Sequence, residues 1–151
     1  MDPPKRDALY WLKDEILEDL KEFGEVSESW YSSEDQHLIP LAIAELHASG
    51  LIEVHKTQYK VMYVDANRQR ALKNILIGEL FSNPLALEDS DVVGTRPYFM
   101  ADEIYQAAQD LERQGKLEIH NSGSPRRFYL LPEATRRRML EDMIMDFENM
   151  N

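Results

Sequence analysis

Four histidines, His37, His47, His55 and His120, are the side chains in this 151-residue sequence best suited to metal or acid–base chemistry, and none has the spacing of a metal ligand. No cysteine is present to complete such a site or to form a disulfide. The sequence has no glycine-rich phosphate loop and no Gly-x-Ser-x-Gly nucleophile turn. Its carboxylates fall at positions that read as solvated helix exteriors. It therefore predicts no catalytic residue, no metal and no cofactor. What remains is the chemistry of charge. Arg126 and Arg127, then Arg136, Arg137 and Arg138, are groups that hold phosphates, contacts that position a protein without giving sequence specificity. Asp14, Glu18 and Glu22 recur at four-residue steps, which on a helix makes a continuous acidic ridge.

Charge balance weighs these two sets. The net charge is −11. Residues 1–65 hold 6 Lys/Arg against 14 Asp/Glu, net −8, and residues 66–151 hold 11 against 14, net −3. A nucleic-acid binder draws most of its affinity from a basic footprint, so direct DNA binding is disfavoured. An acidic surface suits a basic protein partner, or solubility alone. No apolar run approaches the ~20 residues of a membrane span, and no signal segment follows Met1, so a cytoplasmic, non-membrane protein is expected.

The elements that must position these groups are written twice. Ala42 to His55 and Ala107 to His120 match without a gap, 65 residues apart: alanine, leucine, glycine, glutamate and histidine recur in register. Each copy ends a helix, stops it with glycine (Gly50, Gly115) and continues as an alternating strand. Upstream, Leu9, Leu12, Ile16, Leu20 and Phe23 mark an amphipathic helix over 7–23, ended by Gly24. A polar stretch with Trp30 and Tyr31 is expected to hold a short second helix. Pro40 suits the first turn of a third helix, and 51–64 reads as a hairpin turning at Lys56-Thr57-Gln58. Ala71, Leu72, Ile75 and Leu80 repeat Ala8, Leu9, Leu12 and Leu17 at a spacing of 63. The two extra residues of the second copy fall in 82–99, read as a loop with at most one short helix. A third helix over 100–114, a hairpin over 116–131 with its tip at 121–125, and a last helix over 133–150 complete the chain.

Both copies resemble winged helix-turn-helix domains, and the chain resembles tandem winged-helix proteins. The resemblance implies a mainly α fold with small β-hairpins (α+β): winged-helix units at 1–65 and 66–132, and a C-terminal amphipathic helix at 133–151. The superfamily includes transcription regulators and also members that bind only protein, such as tandem winged-helix subunits of bacterial condensin complexes.

In a DNA-reading winged helix, the outward side of the third helix carries polar and cationic groups. Here the first third helix has no Arg or Lys, and 38–44 is uninterruptedly apolar. Ile43 and Leu46 face its own core, leaving Leu41, Ala44 and Ala48 outward. That face is expected to be covered by another domain, a second copy or a partner, with Leu41 largely buried by it. The second third helix sets Asp102, Glu103, Asp110 and Glu112 against Arg113; Gln106 and Gln109 could contact bases, but carboxylates at that density would repel phosphates. The last helix carries three arginines in its first turn, against the helix dipole. Its stripe of Leu140, Met143, Ile144, Phe147 and Met150 either covers the second unit or serves docking, with Leu140, Ile144 and Phe147 as dimerisation residues of a homodimer.

The sequence thus predicts a non-enzymatic, acidic protein that binds protein through Leu41, Ala44, Ala48, Asp14, Glu18 and Glu22. Its partner would be a basic nucleic-acid-binding protein whose groove is blocked by a nucleic-acid-like face, as phage-encoded inhibitors of host or defence proteins do, or a larger assembly of which the chain is a subunit. The alternative is a duplex-DNA-binding transcription regulator gripping phosphates through Arg126, Arg127, Arg136, Arg137 and Arg138.

Overall fold

The structure is a computed structural model that describes the backbone of residues 3–32, 34–57, 60–82, 86–121, 126–131 and 133–149, and the side chains of all of these except 3–7, 133–136 and 147–149. It is mixed α+β. By compactness the chain divides into two units, Met1–Ile75 and Leu76–Asn151. The expected boundary after residue 65 coincides with the end of a strand, whereas the compact units part inside a helix. The expected third segment, 133–151, falls within the second unit.

In the first unit, α1 (Pro3–Phe23) starts four residues before the expected Asp7, because Pro3 and Pro4 fit a helix's first turn. It buries Leu12, Ile16 and Leu20, the three-and-four-step stripe, against Val26, Ile39, Ala42, Ile43, Leu46, Ile52 and Tyr63. Gly24 ends it with φ +84. The stretch expected to hold a short second helix is instead strand β1 (Glu25–Ser27) and two 3-10 turns, Glu28–Trp30 and Gln36–Leu38. Its polar residues lack the helical apolar repeat, so tertiary contacts decide: Val26 pairs with Tyr63, and Tyr31 turns inward. Next come α2 (Ile39–Ala48), with Pro40 in its first turn, β2 (Ile52–Lys56) and β3 (Val61–Asp65). The β2–β3 hairpin is as expected; Gln58 of its turn lies outside the described residues. Then α3 (Arg68–Ser82) begins, and the division between the units falls within it.

The second unit repeats this order. The expected short helix within 82–99 is α4 (Asp89–Thr95), preceded by a two-residue strand β4 (Leu87–Glu88) that the sequence reading missed. Two residues are too few to show alternation. Helix α5 (Ala101–Arg113) buries Ile104, Ala107, Ala108 and Leu111. The hairpin β5 (Leu117–His120) and β6 (Arg127–Leu130) follows, its tip at 122–125 lying outside the described residues, and α6 (Glu133–Asn149) packs on β6.

The internal repeat extends to hydrogen bonds. Both sheets are antiparallel with the same strand order, β1-β3-β2 and β4-β6-β5. Ile52 faces Asp65 and His55 faces Met62, just as Leu117 faces Leu130 and His120 faces Arg127. Gly50 (φ +72) and Gly115 (φ +73) end α2 and α5 in the same Schellman turn. In one, Leu51 N–H donates to Leu46 C=O (3.1 Å); in the other, Lys116 N–H donates to Leu111 C=O (2.9 Å). Each unit runs helix, short strand, short helix or 3-10 turns, helix, then hairpin, an α+β order consistent with the winged-helix resemblance, and the C-terminal helix follows.

Candidate protein-docking surface

On α1 the ridge residues stand where the sequence placed them. Asp14, Glu18 and Glu22 are exposed, as is Glu15, on the side away from Leu12, Ile16 and Leu20. Lys21 lies 3.6 Å from Glu18. The same side carries two residues that the sequence reading passed over. Tyr10 is 64 % and Trp11 66 % exposed, and their rings meet edge to face with centroids 5.7 Å apart. The signal was available: Asp14, Glu15 and Glu18 lie three, four and seven residues beyond Trp11, which puts all four on one helical face. A second exposed aromatic pair, Phe23 and Trp30, closes the far end of α1, with centroids 5.3 Å apart.

Helix α2 turns Ile43 and Leu46 inward and Leu41, Ala44 and Ala48 outward, as its periodicity requires. Leu41 is 50 % exposed, so the expectation that it is largely buried is not met among the described residues. Lys13 Nζ reaches Glu45 Oε2 at 2.9 Å and ties α1 to α2 beside these faces.

The arginines at the base of the second hairpin are engaged within their own unit. The Arg126 guanidinium lies 3.8 Å from the centroid of the Tyr105 ring and 3.9 Å from Asp89 Oδ2, and Arg127 Nε lies 3.4 Å from Glu88 Oε1. Asn121 donates to the Tyr105 hydroxyl at 3.1 Å. These partners come from α4, β4 and α5, so no local spacing announced them. Arg137 and Arg138 are exposed on α6; the side chains of Arg136 and Phe147 lie outside the described residues, as does Met150. Leu140 is half-buried, while Met143, Ile144 and Met145 are exposed.

The histidines follow the repeat. His55 Nε2 lies 2.7 Å from Glu53 Oε1, and His120 Nε2 lies 3.3 Å from Glu118 Oε1, each two residues along its strand. Arg68 also contacts Glu53 Oε1, at 2.6 Å. Among the described residues, no three His, Asp or Glu converge as a metal site.

Two polar groups of the first unit are structural. Asp65 is 2 % exposed and accepts from Arg70 Nε (2.5 Å), Arg70 Nη2 (3.0 Å) and the Asn67 N–H (3.0 Å), which anchors the start of α3 to the end of β3. The hydrogen bond to Asp65 holds Arg70 above its usual pKa. Tyr31 is buried and donates to Asp19 Oδ2 at 3.1 Å; burial first, then the Asp19 charge, push its hydroxyl far above the ordinary tyrosine range.

No helix among the described residues is long and apolar enough to cross a membrane. No family model matches the chain, and no curated protein matches it. Among solved structures, a chain in "Structure of the ESCRT-II endosomal trafficking complex" is similar, with a TM-score of 0.36 and 13 % identity over 82 % of this chain and 62 % of that one. The chain therefore spans less than two thirds of that solved chain's length.

Proposed function

We propose that this chain is a non-enzymatic, cytoplasmic winged-helix scaffold that acts by binding protein. The observation that carries the reading is the chemistry of the outward faces of α1 and α2. Where a nucleic-acid-reading helix needs polar and cationic groups, α2 presents Leu41, Ala44 and Ala48, and α1 presents the acidic Asp14, Glu18 and Glu22. Charge supports it as well: a net −11 repels phosphate and attracts a basic surface. The partner is accordingly a basic, nucleic-acid-binding protein whose groove an acidic face can block, or the assembly of which this chain is a subunit. Leu140 and Ile144 on α6, with Phe147 by sequence, are the residues we assign to self-association.

The competing reading is a duplex-DNA-binding transcription regulator, which the winged-helix architecture and the exposed Arg137 and Arg138 favour. Charge changes separate the two. Reversing Asp14, Glu18 and Glu22 to lysine is expected to abolish capture of the host partner by the tagged full chain, while Arg126→Ala with Arg127→Ala leaves capture intact. Loss of activity on the arginine change, with the ridge reversal silent, would hand the function to the regulator reading.

A further inference from the structure

Tyr10 and Trp11 have no role in the core that α1 builds. Leu12, Ile16 and Leu20 fill it from the opposite side, and the two rings remain about two-thirds exposed. Their rings meet edge to face, and with two side-chain torsions each they lose little freedom when a partner packs on them. Tryptophan and tyrosine are also the residues that most often dominate binding energy at protein interfaces.

The surroundings say what should cover them. Asp14, Glu15, Glu18 and Glu22 follow on the same exposed side, where Lys21 lies 3.6 Å from Glu18. The negative face of an indole attracts cations, and a guanidinium stacks on it better than an ammonium because it is planar and weakly hydrated. The second unit contains the same combination in closed form: Arg126 lies 3.8 Å from the Tyr105 ring centroid with the Asp89 carboxylate beside it. On α1 the aromatic group and the carboxylates are present, and no arginine among the described residues stacks on Trp11.

We propose that the Tyr10–Trp11 face of α1 docks an arginine-bearing basic segment of a protein partner. One guanidinium stacks on Trp11, and neighbouring basic side chains pair with Asp14, Glu15, Glu18 and Glu22. This rests on the protein-binding reading and adds to it an anchor residue and a partner chemistry.

The test uses the full chain and a fluorescein-labelled nona-arginine peptide, read by anisotropy at ~0.15 M salt, where long-range charge attraction is largely screened. Trp11→Ala is expected to weaken binding by about tenfold at unchanged net charge, Trp30→Phe to leave it unchanged, and nona-lysine to bind more weakly than nona-arginine. In the Trp30→Phe protein the remaining tryptophan emission should shift saturably on titration. Because Trp11 lies outside the core, Trp11→Ala should unfold at the temperature of the parent chain. If Trp11→Ala binds as tightly as the parent while Asp14→Asn, Glu18→Gln and Glu22→Gln together weaken binding, the aromatic anchor is refuted and the acidic docking surface stands. If the peptide binds neither protein, or none of these changes matters, both are refuted.

Discussion

Gly24→Ala should destabilise the first unit by about 3 kcal/mol or more. Two effects add. Gly24 sits at φ +84, where an L side chain costs ~1–2 kcal/mol. A Cβ there would also lie 2.4 Å from the carbonyl oxygen of Ala71, so the turn after α1 and the first turns of α3 would have to separate. The Gly24 carbonyl accepts the Asp65 N–H at 3.1 Å, which couples that movement to the end of β3. Gly50→Ala supplies the comparison. Its φ is +72, but nothing lies within 4 Å of the added carbon, so only the conformational cost applies. Both tryptophans, Trp11 and Trp30, belong to the first unit, so urea unfolding followed by their fluorescence reads this unit selectively. Equal losses for the two variants would show that the close approach at Ala71 carries no energy.

Phe128→Ala should have an effect of similar size in the other unit. Phe128 is 0 % exposed in β6, the central strand of its sheet, opposite Leu87 on one side and Ile119 on the other. Truncating a buried phenylalanine costs about 3–5 kcal/mol, part transfer and part residual cavity. A domain of this size holds a total of only about 5–15 kcal/mol. Far-UV circular dichroism should therefore register early unfolding of the second unit while the tryptophan signal keeps its midpoint. If the fluorescence midpoint falls equally, the two units unfold as one.

Features set by local chemistry were legible in the sequence. The glycines that stop α2 and α5, the hairpins that follow them and the inward faces of both helices all depend on residues a few positions apart. A helix cap and a strand alternation need no more than that. The short strands were not legible, because their existence depends on distant partners. β1 is defined by Val26 meeting Tyr63, and β4 by Leu87 meeting Phe128. The segment holding Trp30 and Tyr31 forms 3-10 turns rather than a regular α-helix for the same reason: burial of Tyr31 against Asp19 decides its path. In the candidate site, the exposure of Asp14, Glu18 and Glu22 followed from the periodicity of α1. Trp11 was equally readable from that periodicity. The engagement of Arg126 by Tyr105 and Asp89 was beyond reach, since it joins three separate elements.

The measurement that bears most directly on function is an electrophoretic mobility shift of the purified full chain with mixed genomic duplex DNA at ~50 mM salt. Phosphate-driven binders show affinity under such conditions whatever their sequence preference, with non-specific dissociation constants of about 10⁻⁴ to 10⁻⁶ M even at physiological salt. A chain of net charge −11 whose hairpin arginines are held by Asp89, Glu88 and Tyr105 should leave the DNA unshifted at ~10 µM protein. A clear retarded complex at that concentration, lost on Arg126→Ala with Arg127→Ala, would contradict the proposed protein-binding role and favour the DNA-binding reading.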